Sequence, residues 1–448
     1  MKPIDINRFH FLECAGVPNV GSLLSQTASL THLNPPVTNA GPAHPPLSEL
    51  QRKREGTIRV STYDTWSQLA EQIPAWETIL GDSASLSIFS TPEWLGSWWK
   101  AFGGGRRAIG FAFSSPDDSL VGLVPCYLEE RPSSVFGKLA WLRFIGDGSG
   151  DSDNLDLIIR PGFEKQCARA LLEWLGGNHD WDVCSFNTMP DNSKAAAALI
   201  EELKRIRWTF VAKHSPCSTI QFPSSWPLYL ESLSPSFRPL ATRYPRKLTE
   251  RYQVRIDRCD NPDVLSRRLE ILFSLHKKRW NLANQPGSFG SRERRAFYRE
   301  MAESFLRKGW LEFWLMELSG APAATQYCFR YRDTVYILQE GFDPRFATDK
   351  AGYALRAATL KYFIETGVKR YDFLGGFAPH KQNWGAKPGV YLNLSFAQPG
   401  STGSLYLSST HSFAKSKEWL RGKLPAPAWS LLHWLKLKTN GQAGSVEV

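Results

Sequence analysis

The sequence predicts an α/β protein of two units, each a mixed sheet with flanking helices. Three observations carry that prediction. Strand-like and helix-like runs alternate through residues 155–222, as they do in α/β proteins. Residues 334–376 read as strand, turn, helix and strand, which calls for a crossover between parallel strands. Just before that crossover, 309–318 and 323–331 read as antiparallel strands around the turn Ser319-Gly320-Ala321-Pro322.

Taken in order, residues 1–55 are rich in Pro, Ser, Asn, Thr and Gly and read as a disordered leader. Thr57–Tyr63 alternates as a strand does. Trp66–Leu80 reads as a helix that Pro74 must bend or restart. Ser90-Thr91-Pro92 is a helix start, a hydroxyl cap followed by proline. The stripe behind it, Trp94, Leu95, Trp98, Trp99 and Phe102, has the spacing of core packing. Ala108–Phe113 and Leu120–Glu129 form a hairpin, and Leu139–Ile145 a strand. The run from Gly146 to Asp153 lacks the spacing and closing glutamate of a calcium loop. It reads as a polar inter-strand loop able to line a cleft. Leu155–Ile159, Val183–Asn187 and 210–222 are extended, with helices at 162–175 and 194–205 between them. No phosphate loop joins strand to helix here. These residues make a first unit, 56–225.

The second unit, 226–400, opens with a short helix at 228–233. Arg238, Arg243, Arg246, Lys247, Arg251, Arg255 and Arg258 follow within one segment, a basic helix that either holds phosphates or is a solvated face. Helices are expected at 262–280 and 292–307. Thr334–Phe342 is the first strand of the crossover. The helix at 351–365 sets Leu355, Ala358, Tyr362 and Phe363 on one face and stops at Gly367. Arg370–Leu374 is the second strand, and Val390–Ala397 a later one. The turn at 343–352 carries Arg345 and Lys350 and ends in Gly352 at the helix mouth. The first amides of a helix have no internal partner, and the helix dipole adds positive charge there. A phosphate or pyrophosphate fits such a place. Residues 401–448 form a basic, Trp-rich tail whose 414–438 stretch either lies on an anionic membrane surface or packs back on the domain.

Composition narrows the function classes. A chain of 448 residues that is 42% hydrophobic and 22% charged can bury a sizeable core. A net charge of +11 permits an anionic partner. Seven scattered cysteines with no CxxC pair argue against a disulfide framework or a zinc site, and no metal site is expected. No apolar run has the length of a membrane span or a signal peptide. These features point to a cytoplasmic protein, with the tail able to reach the inner-membrane surface. No Walker loop, GxSxG elbow or HExxH motif is present.

The run Asp349-Lys350-Ala351-Gly352-Tyr353-Ala354 resembles the acyl-coenzyme A loop of the GNAT acyltransferase superfamily. Gly352 and Ala354 stand where that pattern has small residues, and Asp349 where it has Gln or Arg. FSTPEWLGSWWKAFG near residue 90, LRFIGDGSGDSDNLDLIIRPG near 150, LHKKRWN near 276 and YDFLGGFAPHKQNWGAKP near 380 are similar to the bacterial acetyltransferases of cellulose biosynthesis (CelD/BcsL-like). The resemblance spans roughly residues 60–400. It implies tandem GNAT-like folds with a degenerate N-terminal copy. It also implies acetyl-CoA or another acyl-CoA as co-substrate, and a sugar, polysaccharide precursor or amine as acceptor. Two other readings stay open. The tandem layout resembles the Fem family, which implies a peptidyl transferase fed by aminoacyl-tRNA, a less favoured partner; DNA is not expected. Departures at Asp349 and His380 suit a non-catalytic scaffold of a polysaccharide synthesis system.

Direct acyl transfer sets the site expectations. Pyrophosphate would rest on amides from Lys350 to Ala354, with Ala351, Gly352 and Tyr353 at the centre and Arg345 or Lys350 adding charge. A backbone amide near Gln339 to Gly341 would stabilise the thioester oxygen. Glu340 is the first candidate base, with Asp372 and His380 as others; Tyr371 or Tyr353 would protonate the leaving thiolate. His276 and Trp280, four apart on one helix face, are placed by the resemblance on the acceptor side, and Lys381 and Trp384 in the element that follows.

Overall fold

The computed structural model describes residues 57–83, 85–282 and 287–423. The expected leader, and the tail beyond residue 423, lie outside them. In the first unit β1 (Arg59–Tyr63) leads to α1 (Trp66–Ala70) and α2 (Ile73–Asp82), which part just ahead of Pro74. The Thr91 hydroxyl caps α3 (Pro92–Phe102) by accepting from the Trp94 amide. Then come β2 (Arg107–Ser114), β3 (Leu120–Ser133), β4 (Gly137–Phe144), β5 (Ile158–Ile159), α4 (Glu164–Gly176), β6 (Val183–Pro190), α5 (Lys194–Arg205) and β7 (Thr209–Gln221). The strand expected at 155–159 shrinks to the two residues of β5. The Asp156 carboxylate takes the Leu157 amide at 2.8 Å and so withdraws it from the ladder.

The second unit holds α6 (Trp226–Ser232), α7 (Arg238–Arg251), β8 (Val254–Arg258), α8 (Pro262–Leu282), α9 (Arg292–Arg307), β9 (Leu311–Leu318), β10 (Ala321–Tyr331) and β11 (Thr334–Phe342). It ends with α10 (Ala351–Glu365), β12 (Arg370–Gly375), α11 (Pro379–Asn383), β13 (Lys387–Ala397) and α12 (Thr402–Lys423). The basic run is not one helix. Arg255 and Arg258 fall on β8, beside Asp257 and Glu312.

All strands join one mixed sheet in the order β1-β2-β3-β4-β6-β13-β7-β12-β11-β10-β9-β8, with β5 beside β3. Among the described residues only β4–β6 and β11–β12 are parallel, and each spans a crossover helix. The two halves are thus two GNAT-like arrangements of the same form, four antiparallel strands and then a parallel crossover. Their final strands are exchanged. β7 of the first half pairs with β12, while β13 of the second half pairs with β6. The two exchanged strands pair with each other from Thr209–Ala397 to Thr219–Lys387.

The largest apolar core runs through both halves. Trp94 is fully buried and meets Phe297, Phe305 and Phe329 of the second half at 5.3–6.2 Å. The aromatic stripe on α3 is therefore packing, and it packs across the halves. α10 is buried nearly all round, on Ala354, Leu355, Arg356, Ala357, Thr359, Leu360, Phe363 and Ile364. Ala358 and Tyr362, expected on its apolar face, are only half-buried. α10 lies on β9, β10 and β11 with α7 against its flank, so one stripe does not suffice. No described helix is long and apolar enough to cross a membrane.

α8 crosses β11 at Gly341. A β-carbon there would lie 2.7 Å from the amide nitrogen of His276 and 2.8 Å from the carbonyl carbon of Leu275. Those are backbone atoms and cannot swing aside. Gly341→Ala is expected to destabilise the fold by about 1–3 kcal/mol, read as a lower midpoint in urea unfolding.

Candidate active site

β11 and β12 pair only at Thr334–Arg370, Val335–Tyr371 and Tyr336–Asp372. Beyond Tyr336 they part. β11 stays on β10 but carries an extra residue, Leu338, opposite the step from Tyr327 to Cys328. Such a bulge bends its strand and re-aims the following groups. β12 is irregular too. Leu374 has φ 59° and Gly376 φ 86°, and the register with β7 shifts between Asp372 and Gly375. The result is an opening between the second half of β11 and the end of β12, with α10 starting above it.

The loop from β11 to α10 is tied at both ends. Asp343, almost fully buried, accepts from Lys278 at 2.7 Å and from Arg345 at 3.0 Å. Burial alone would raise its pKa; the Arg345 and Lys278 hydrogen bonds outweigh it and hold the carboxyl well below the usual range. Asp349 accepts from Arg251 at 2.6 Å and from the Tyr252 hydroxyl at 3.0 Å. The aspartate that departs from the family pattern thus fastens the loop to α7. Lys350 then takes a left-handed backbone, φ 58° and ψ 37°, and its side chain does not cap the helix. The first intrahelical bond runs from the Ala354 amide to the Lys350 carbonyl. The amides of Ala351, Gly352 and Tyr353 precede it and point out of the helix. A β-carbon on Gly352 would meet only Phe342, at 3.9 Å. The mouth therefore has room and outward donors, the chemistry a phosphate needs.

Beneath the opening Glu340 sits between two guanidiniums, Arg279 of α8 at 3.1 Å and Arg356 of α10. Arg356 is buried and lies over the rings of Phe373 and Trp384. Burial raises the Glu340 pKa, but the charges of Arg356 and Arg279 more than reverse this and bring it to about 2. A carboxylate so held is a weak base at neutral pH. Glu340, the first candidate base, is a clamp instead.

Other expected residues also take new places. Tyr371 is fully buried against Cys328, with its pKa raised by burial, and cannot protonate a leaving group in the opening. Asp372 is buried and accepts from the Leu374 amide at 2.8 Å and Arg370 at 3.3 Å. His276 is buried beside Phe289 and Trp280, and burial with the Arg279 charge lowers its pKa to about 4. It is a neutral core residue, and only Trp280 reaches the surface. The Gln339 side chain lies beside His276 and Tyr298. The Lys381 ammonium donates to the carbonyls of Phe373, Gly375 and Gly376 at 3.0, 2.5 and 3.2 Å, so it braces the end of β12. Trp384 is buried against Phe237 and half-buried Tyr353. His380 remains beside the opening, within the field of Glu340, Arg356 and Arg279. Burial and Arg356 lower its pKa to about 4, so it is neutral at pH 7.

The first half adds what the sequence reading missed. The polar run after β4 docks on the second half. Asp151 accepts from the Tyr298 hydroxyl at 3.0 Å and Arg294 at 3.1 Å. Asn154 donates to the Tyr391 hydroxyl at 3.1 Å. Asp153 accepts from the Gly375 amide at 2.8 Å, on the end of β12. The aspartates among glycines were the signal; the partners of Asp151 and Asp153 lie more than 140 residues away in sequence. Arg279 and Arg356, each in the middle of helical sequence, had no signal of their own.

The parted strands and the helix mouth beside them fall within the segment that matches a known domain family. Residues 236–382, about a third of the chain, match the family model described as an acetyltransferase (GNAT) domain. The chain therefore carries a GNAT-type acetyltransferase domain and is an acyltransferase by class. No curated protein sequence matches it. Among solved structures it is similar in fold to FemX, at 11% identity over 75% of this chain and 97% of that one, with a TM-score of 0.51. A tandem GNAT protein from the clavulanic acid biosynthesis pathway aligns at 12% identity over 77% and 100%, TM-score 0.41. L-PGS from Bacillus licheniformis aligns at 13% identity over 75% and 96%, TM-score 0.43.

Glu340→Gln would leave two guanidiniums facing each other without their counter-charge, at an expected cost of about 3–5 kcal/mol. The pH dependence has a definite sign. A carboxyl lowered to about 2 on folding stabilises fully above its ordinary value of 4.5 and loses that contribution as pH falls through 2. Wild type should lose stability more steeply than Glu340→Gln across that window, as read by urea midpoints at stepped pH.

Proposed function

We propose that the chain is an acyl-CoA-dependent N- or O-acyltransferase whose acceptor is a sugar, a polysaccharide precursor or an amine. The observation that carries this reading is the mouth of α10. Three outward amides and an unobstructed Gly352 stand where β11 and β12 separate. A pyrophosphate on Ala351, Gly352 and Tyr353 would let the pantetheine arm lie between the parted strands. Its thioester oxygen would meet an edge amide of β11 beyond the Leu338 bulge. Arg345 and Lys350 add positive charge to the rim, although Arg345 is shared with Asp343.

A second reading keeps the same opening and changes the carrier to an aminoacyl-tRNA. The favouring observation is α7. Its exposed Arg243, Arg246 and Lys247 continue from Arg251, which is bonded to Asp349 of the loop. A polyanion seated at the mouth would meet that row, and its binding would weaken steeply with salt. A polysaccharide or cellulose setting, and a tail resting on an anionic membrane surface, belong to this proposal and rest on the sequence resemblance and composition.

Calorimetry with acetyl-CoA tests the first reading. Wild type should bind, and Gly352→Glu should fold normally yet lose about tenfold or more in affinity, since a carboxylate would stand among the phosphate donors. Equal affinity in the two proteins, or binding only to tRNA with strong salt dependence, would refute it.

A further inference from the structure

We propose that Asp153, contributed by the first half of the chain, is the general base of the transfer site in the second. This inference rests on the acyltransferase reading above and names the group that reading lacks. Glu340 is clamped, Asp372 is buried under Arg370, and Tyr371 is in the core.

The backbone places Asp153. In extended chain, successive amides point to opposite edges of the strand. The Gly376 amide donates to the Pro216 carbonyl of β7 at 2.7 Å. The amide one residue earlier, Gly375, faces the other edge, the one β11 has left. It donates to the Asp153 carboxylate at 2.8 Å. Asp153 thus lies along the wall of the opening, where a strand partner would otherwise be. Oδ2 is the oxygen used in this way, and among the described residues no arginine or lysine salt bridge holds it. The residue is neither fully buried nor fully exposed. Both properties distinguish it from Asp151 and Asp372, each almost fully buried and bound to an arginine.

Its surroundings suit the task. The groups that face it are Asp151 from its own loop, Asp372 from β12, Lys381 from α11, Cys217 from β7 and Tyr391 from β13. Burial is the largest influence and Asp372 adds to it; the Gly375 amide and Lys381 oppose. The carboxyl is left at about 6, above its ordinary value of 3.8. A base with that pKa is ionised at neutral pH and still takes a proton readily. In the step itself the acceptor nitrogen or oxygen bonds to the acyl carbon. The carbon–sulfur bond breaks and its electron pair leaves with sulfur. The acceptor proton passes to Asp153 and from there to solvent, while the thiolate is protonated from solvent.

Asp153→Asn tests this, because its amide oxygen can still accept from Gly375 and keep the loop docked. The assay follows thiol release from acetyl-CoA with glucosamine as the probe acceptor. Against wild type, kcat/KM should fall about a hundredfold or more while acetyl-CoA affinity by calorimetry stays within about threefold. The wild-type profile should rise with pH through about 6 and level off, and the variant should lack that limb. A variant that keeps its turnover, or keeps the limb, overturns the inference. A wild type that binds no acetyl-CoA defeats the acyl-CoA reading instead. Asp153 is then judged by infrared carboxyl titration, wild type minus Asp153→Asn. A midpoint near neutrality supports it, and an ordinary carboxyl midpoint overturns it regardless of the donor.

Discussion

The pairing of β13 with β7 is the contact on which the rest of the architecture depends. It runs the full length of β13 and from Thr209 to Thr219 of β7, and is antiparallel throughout. Each strand also pairs with the crossover strand of the opposite half, β7 with β12 and β13 with β6. Neither half can complete its sheet from its own residues. Without β7, Arg370, Tyr371 and Asp372 of β12 would keep β11 on one edge and lose their partner on the other. The shared apolar core around Trp94 adds a second bond of the same kind. Because the halves are locked in this way, a loop of one can serve as part of the site of the other.

The first half has its own parallel pair, β4 with β6, and just past its last paired residues two aromatic rings meet. Phe144 and Phe186 stack across it with ring centres 4.0 Å apart. The loop that leaves β4 does not rise to a helix mouth. It crosses instead to α9, β12 and β13 of the other half, where Asp151, Asp153 and Asn154 find their partners. Two buried aromatics thus close one copy of the arrangement, and the freed loop furnishes the other.

Local sequence was enough to read the order of strands and helices and the crossover at 334–376, because periodicity and turn residues are local signals. The same holds for the Thr91 cap and the break at Pro74. The site was less legible. The position of Gly352 and its neighbours at a helix mouth was readable because a loop and the helix it enters are contiguous. Glu340 was misjudged because its two guanidiniums come from residues 279 and 356, and no local pattern announces a long-range ion pair. Trp384 and Lys381 were read by resemblance as substrate contacts. One is packed against Phe237, and the other is spent on three carbonyls. The face of α10 was misplaced for a related reason: a helix covered on several sides obeys its neighbours and not a single stripe.

The charges around the opening are unequal, and the inequality has a direction. On the β11 side two guanidiniums meet a single carboxylate, and the outward amides of α10 add to the surplus. His380 is held neutral there and contributes nothing. On the β12 side Asp153 has no salt bridge among the described residues, and Lys381 donates to backbone carbonyls. Acyl transfer to an amine creates negative charge on the thioester oxygen and positive charge on the attacking nitrogen. A site with a positive wall and a negative wall stabilises that separation only if the thioester lies along β11 and the acceptor arrives along β12. The reverse arrangement would set each developing charge against its like. On the proposed acyl-CoA reading, field and backbone geometry would favour the same orientation: carrier at the mouth of α10 and against β11, acceptor beneath the loop that carries Asp153.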